Sequence, residues 1–293
     1  MKKKTSSKTP PKKPFFLKRV IKKIFKSGPH VTVLRLQGVI GQVSSFRSGL
    51  KFETCEPLIN KAFKDKKSKA VCLVINSPGG SPVQSSLIAT LIQELAKENK
   101  KPVYAFIEDV AASGGYWLAC AADTIYVDRA SIVGSIGVIS SGFGFKKLLD
   151  KYGIERRVYT AGKSKSILDP FLDEKPDDVK KLRKIQDQLH DYFIEYVKMN
   201  RKGKFDEKDK DLFSGEIYAG MQAVENGLAD EIGNVVSVMK EKFGKKVRFN
   251  LIQDSKSFWK RKLSLQYEPS LETVSEKMIS YVEERLMRNY YGL

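Results

Sequence analysis

Three glycine-rich elements hold residue types that could do chemistry: Asn76-Ser77-Pro78-Gly79-Gly80-Ser81, Ala112-Ser113-Gly114-Gly115-Tyr116 and Gly134-Ser135-Ile136-Gly137. The first two each lie between an apolar, strand-like run and a helical one. A Gly-Gly turn at a strand end leaves backbone N–H groups free at a helix N-terminus. Such groups can hold an anion, including the oxyanion of a tetrahedral intermediate. A serine in the second element sits where adjacent amides and the helix dipole favour a developing negative charge. Singly, each element is weak evidence, since a Gly-Gly pair is usually a turn and a serine at a helix start an N-cap. The Pro78-Gly79-Gly80-Ser81 stretch also lacks the GxxxxGK[ST] spacing of a phosphate loop. In this order, on a strand–helix frame, the three are far more specific.

A nucleophilic serine needs a base. His30 stands at the very start of the first strand, and His190 falls in a long charged helix, where a surface or packed histidine is the expected role. Lysine replaces histidine in Ser–Lys dyads, but only as the neutral amine. Its pKa then has to move from about 10.4 to about 7–8, roughly 3–5 kcal/mol against the charged form. Burial among apolar groups, away from carboxylates, does this. The chain has 53 Lys and Arg, so composition does not choose the base. With two histidines and no CxxC pair, a histidine-rich metal site is excluded and no zinc motif is present. No metal or cofactor is expected. Cys55, Cys72 and Cys120 read as buried, reduced thiols.

The elements that must position these residues follow from hydrophobic patterning. Strands are expected at 30–41, 69–76, 102–108, 124–128, 131–139 and 155–160. Helices are expected at 56–66, 82–98, 113–122, 145–152, 176–202, 218–227 and 234–243. Alternating strands and helices with continuous apolar strands imply an α/β fold with a mostly parallel sheet covered by helices. In 293 residues there is length for a substantial core. The net charge is +19, and eleven of those charges come from residues 1–27, which hold no acid and leave eight for the rest. We therefore divide the chain into a basic arm (1–27), a single catalytic domain (28–250) and a C-terminal extension, expected to be helical (251–293). In the arm, Phe16, Leu17, Val20, Ile21, Ile24 and Phe25 recur at helical spacing among lysines, a pattern suited to an anionic membrane surface. No stretch approaches the ~18 apolar residues of a membrane span, and no secretory signal peptide is evident. The expected location is cytoplasmic or peripheral on the cytoplasmic face of the inner membrane.

The runs INSPGGS, EDVAASGGYWLACAADTIYVDRASIVGSIGVIS, YTAGKSKSILDPF and SGEIYAGMQAVENGLADEIG resemble the signal peptide peptidase A (protease IV) family and its SohB-type neighbours. The similarity spans about residues 31 to 243. It implies a Clp protease/crotonase-like fold and an ATP-independent serine endopeptidase with a Ser–Lys dyad. By that resemblance Ser113 matches the nucleophile of the SxGG motif. Lys165 in Gly162-Lys163-Ser164-Lys165 matches the base, with Lys163 as runner-up. Ser135 of the GSIG motif matches the serine that hydrogen-bonds the lysine amine. The backbone N–H groups of Gly114 and Gly80 would form the oxyanion hole. Family members form dome-like rings with the dyad near subunit boundaries, so a homo-oligomeric tetramer or octamer is implied. Extended peptides such as signal-peptide remnants, or unfolded or membrane-derived segments, are the implied substrates, with Phe143, Phe145 and Tyr116 as groove-lining candidates. The family's common N-terminal span is missing, and the chain holds one copy of the catalytic frame.

Three other readings compete. A crotonase-type acyl-CoA enzyme would use a carboxylate near the oxyanion site, and Glu108 and Asp109 are close in sequence. A non-catalytic scaffold would keep the frame without its chemistry. Nucleic-acid binding through the arm lacks a folded recognition motif and ranks low.

Overall fold

A computed structural model describes residues 28–41, 49–162, 164–206, 209 and 211–252. The elements in chain order are β1 (His30–Gln37), α1 (Phe52–Lys64), β2 (Ser68–Ser77), α2 (Pro82–Asn99), β3 (Val103–Ala112), α3 (Gly114–Ala119), β4 (Thr124–Val127) and β5 (Ile132–Gly134). They continue with α4 (Lys146–Lys151), α5 (Pro176–Asn200), β6 (Ile217–Ala219), α6 (Gly220–Glu225), β7 (Glu231–Ile232), α7 (Val235–Phe243) and β8 (Arg248–Ile252). The strands form one eight-stranded sheet, ordered β6-β5-β3-β2-β1-β8, with β4 beside β3 and β7 beside β4. Every pair is parallel except β5 with β6.

The sheet is parallel because its strands are apolar on both faces. Along β2, Val71, Leu73 and Ile75 pack under α1, α2 and α3, which contribute Ile59, Phe63, Ile88, Ile92 and Leu118. Fully burying an isoleucine such as Ile88 stabilises by roughly 1.5–3 kcal/mol. On the opposite face Cys72, Val74 and Phe106 lie beneath Val238 and Met239 of α7. The three cysteines are free and buried, and burial pushes the Cys72 thiol up to about 12.

Local sequence sets the helix ends. Ser81 caps α2 by accepting from the Gln84 amide, and Pro82 occupies the first turn. Pro176 opens α5, with Asp177 and Asp178 in its first turn. These acids suit the positive end of the helix dipole.

Because α1 and α2 cross from one parallel strand to the next, the carboxyl ends of β2, β3 and β5 gather at one edge of the sheet. There Ser77 pairs with Ala111, and Ala112 with Gly134. The helix ends and basic loops gather at the other edge.

Several expected elements differ. Residues 155–160 are not a strand but exposed coil, within an excursion from Ile139 to Lys175 that lies outside the sheet. Their β-branched and aromatic residues find no neighbouring strand there. The strand expected at 131–139 stops at Gly134, since Gly134 (φ 107°) and Ser135 (φ 51°) turn the chain away. The helix expected from 218 begins at Gly220, because 217–219 pair with β5. Residues 248–252 form β8 beside β1, so the sheet reaches two residues into the segment set apart as a C-terminal extension. The arm's amphipathic segment and the helix expected toward the C-terminus lie outside the described residues. Among those described, no helix is long and apolar enough to cross a membrane.

Candidate active site

Ser113 occupies the turn between β3 and α3. Its backbone has φ 51° and ψ −121°, and its hydroxyl makes no capping bond. A non-glycine residue there costs about 1–3 kcal/mol and persists only when its surroundings over-determine it. The neighbouring backbone does this from two sides. The Ser113 amide donates to the Gly134 carbonyl at 2.8 Å. On the other side, a methyl group on Gly79 would stand 2.8 Å from the Ser113 Cβ and 2.9 Å from the Gly114 nitrogen, so only glycine fits.

The Gly79-Gly80 turn is itself pinned. The Ile40 amide donates to the Gly79 carbonyl and the Ser81 amide to the Ile40 carbonyl, each at 2.8 Å. The Gly80 nitrogen then lies close to Gly114, 3.4 Å from where a Cβ on Gly114 would stand. Neither the Gly80 nor the Gly114 amide donates to another group among the described residues. Two neighbouring N–H groups without an acceptor, beside the half-buried Ser113, can hold a carbonyl oxygen as it gains charge.

Ser135 lies one residue beyond the Gly134 carbonyl that holds Ser113. Its own amide donates to the Glu216 carbonyl at 2.7 Å. Glu216 therefore acts here through its backbone, and the SGEIY segment is what seats the GSIG turn. His190 was expected as a surface or packed residue, and it proves to brace the same turn: its ring Nε2–H donates to the Ile136 carbonyl at 3.0 Å. Only contact across 54 residues reveals this role, and nothing in the local sequence signals it.

The single chain does not join Lys165 to the other site residues. Lys165 is exposed, its amide donates to Gly162 at 3.3 Å, and no hydrogen bond or ion pair links it to Ser113 or Ser135. Lys163 lies outside the described residues. Tyr116 is fully buried and its hydroxyl donates to the Leu228 carbonyl at 2.8 Å, so it lines no groove and instead ties down α3. Phe143 is exposed, while Phe145 stacks on Phe171 with centroids 5.5 Å apart. Glu108 is bound by Arg35, and Asp109 accepts from the Asn76 side-chain Nδ2 at 2.6 Å. Both carboxylates are thus engaged with β1 and β2 rather than with the Gly80 and Gly114 amides.

A mostly parallel sheet with a strained serine turn and two free amides at its carboxyl edge defines an α/β frame of the Clp protease/crotonase-like kind. Residues 95–247 match peptidase family S49, and the chain belongs to this family of serine peptidases. The chain is 43% identical over 290 residues to a protein named Na+/H+ antiporter NhaA from Brucella melitensis, covering 96% of this chain and 39% of that one. It is 34% identical over 213 residues to a putative signal peptide peptidase SppA of Enterococcus faecium, covering 71% of this chain and 61% of that one. The chain thus spans under two thirds of the length of both relatives. Among solved structures it resembles a membrane-bound stomatin-specific protease at TM-score 0.50 and 16% identity, covering 88% of this chain and 99% of that one.

Proposed function

We propose that the protein is a serine endopeptidase in which Ser113 is the nucleophile and Lys165 the general base. The observation that carries this reading is the pair of free Gly80 and Gly114 amides beside the strained Ser113 turn. Neutral Lys165 takes the proton from the Ser113 Oγ as it attacks a peptide carbonyl. The oxyanion rests on the two amides, and Ser135 orients the lysine amine. Lys165 returns the proton to the leaving amine, and water then cleaves the acyl-enzyme with Lys165 again as base. No step calls for ATP. The stomatin-specific protease was solved as a serine-to-alanine variant and as a lysine-to-alanine variant with a substrate peptide, which supports a Ser–Lys pairing.

A lysine base has to be shielded from water, yet Lys165 is exposed in the single chain. The excursion around it also exposes Ile139 (83%), Phe143 (80%) and Tyr159 (90%). A homo-oligomeric ring of four or eight copies would cover these residues and bury the lysine against a neighbour's serine. The enclosed site would take extended peptides, such as signal-peptide remnants or unfolded and membrane-derived segments.

The test is hydrolysis of a fluorogenic signal-peptide-like substrate by wild type, Ser113→Ala and Lys165→Ala. Loss in both variants, with assembly intact, is the expected result. Activity surviving in Lys165→Ala would transfer the base to Lys163, and activity surviving in Ser113→Ala would overturn the reading.

A further inference from the structure

The edge of the sheet opposite Ser113 is strongly cationic, and peptide hydrolysis makes no use of it. The ends of α1, α2 and α7 and the starts of β1, β2, β3 and β8 meet there, with His30 paired to Ser68 on one side and Arg248 on the other. Segments 61–69, 97–101 and 240–248 carry thirteen Lys or Arg against three Asp or Glu. That surplus of ten exceeds the eight positive charges left to the whole chain after residues 1–27. The rest of the chain beyond the arm is therefore slightly net negative, and the net positive surplus of residues 28–293 is carried by the segments of this one edge.

Lysines at helix ends also complement the helix dipole, but here most have no carboxylate to meet. Among the described residues, Lys66, Lys67, Lys69, Lys100, Lys245 and Lys246 are exposed and form no ion pair. The nearby Asp65 is already engaged with the His30 ring at 2.8 Å. Between the ends of α1 and α2 a hollow of about 810 Å³ opens among Lys66, Lys67, Lys69 and Lys100, with Glu98 its one carboxylate. Residues 1–27, with eleven more cations, join the fold at this same edge, where the Gly28 carbonyl accepts from Arg248 at 3.3 Å.

We infer that this edge docks on an anionic lipid surface, with phosphate headgroups entering the hollow between Lys66, Lys67, Lys69 and Lys100. Lipid fits better than nucleic acid because the adjoining arm alternates its lysines with Phe16, Leu17, Val20, Ile21, Ile24 and Phe25. Such residues have a place at the headgroup–acyl boundary and none along a phosphate backbone. Docked this way, Ser113 faces away from the bilayer by about the length of β2, ten residues or roughly 33 Å.

The experiment sediments the full chain with phosphatidylcholine vesicles, with and without phosphatidylserine. A variant combining Lys66→Gln, Lys67→Gln, Lys69→Gln and Lys100→Gln leaves the arm intact, and a control combines Lys180→Gln with Lys184→Gln on α5. Each lysine near an anionic leaflet is worth roughly fivefold in partitioning. Wild type should bind only the vesicles containing phosphatidylserine. The four-site variant should bind them at least about tenfold more weakly, while keeping wild-type peptide hydrolysis, and the control should match wild type. Equal binding by the four-site variant, indifference to phosphatidylserine, or a loss seen on duplex DNA and not on vesicles would each overturn the inference.

Discussion

The Ser113 amide donates to the Gly134 carbonyl over 2.8 Å, and this bond joins the strained turn at the end of β3 to the turn at the end of β5. Both turns hold a serine at φ 51°. The two hydroxyl-bearing residues are thus set relative to one another by backbone, not by a side-chain contact. A lysine amine arriving from elsewhere would find both already in place.

Removing the Ser135 hydroxyl tests that arrangement. Ser135→Ala keeps the backbone bond to Glu216, so the fold and substrate binding should persist. If the hydroxyl orients the base, kcat should fall roughly tenfold or more with KM little changed, and the pH–rate profile should move. A raised KM with unchanged kcat and pH profile would reduce Ser135 to a turn residue.

Gly79→Ala attacks the same site from the other side. The added methyl meets the Ser113 Cβ at 2.8 Å and also sits at φ +103°. Moving the serine by about an ångström is enough to cost roughly a hundredfold in rate. Labelling by a fluorophosphonate probe should drop by that order while the melting temperature falls only modestly. Unchanged labelling would mean that the turn gives way without moving Ser113.

Much of this was legible in the sequence, for a physical reason. The buried runs of β2 and β3 and the Gly79-Gly80 and Ser113-Gly114 turns are specified locally, by apolar continuity and by positions that only small residues tolerate. What local sequence does not specify is made by distant contact. The strands β6, β7 and β8 hold three, two and five residues, too short for periodicity to register, and they exist because an edge of the sheet was open to them. Residues 155–160 have strand-like composition and no partner, so they remain coil. The brace from His190 to Ile136 and the burial of Tyr116 against Leu228 depend on how α5 and the C-terminal segments return to the site.

An exposed Lys165 leads to a prediction about assembly. If each site takes its serine from one copy and its lysine from the next, inactive Ser113→Ala and Lys165→Ala chains should restore activity when co-assembled. The Ser113→Ala copy supplies the lysine, and the Lys165→Ala copy the serine. Peptide hydrolysis by co-expressed, co-purified mixtures, compared with each variant alone, reads this directly. Persistent inactivity in mixtures shown to contain both chains would place both residues of the dyad within one copy.

The last prediction concerns the buried pair that holds the C-terminal half against α3, the helix that follows Ser113. Arg201 is 2% exposed, and its guanidinium donates to Asp230 at 2.7 Å and to the Gly227 carbonyl. Gly227 precedes Leu228, which receives the Tyr116 hydroxyl from α3. Burial pushes the Asp230 carboxyl up, but hydrogen bonds from Arg201 and the Ile125 amide, with the Arg201 charge, hold it below the usual carboxylate range. A lowered folded pKa means the pair stabilises fully above the unfolded value of about 3.9, and its contribution is lost as pH falls through the folded pKa. Asp230→Asn leaves Arg201 buried without its counter-charge, a loss of roughly 3–5 kcal/mol at neutral pH. Denaturant unfolding of wild type and Asp230→Asn should therefore show a large gap at neutral pH that narrows on acidification below about pH 4. A gap that does not change with pH would mean that Asp230 acts by packing and hydrogen bonding alone, not by its charge.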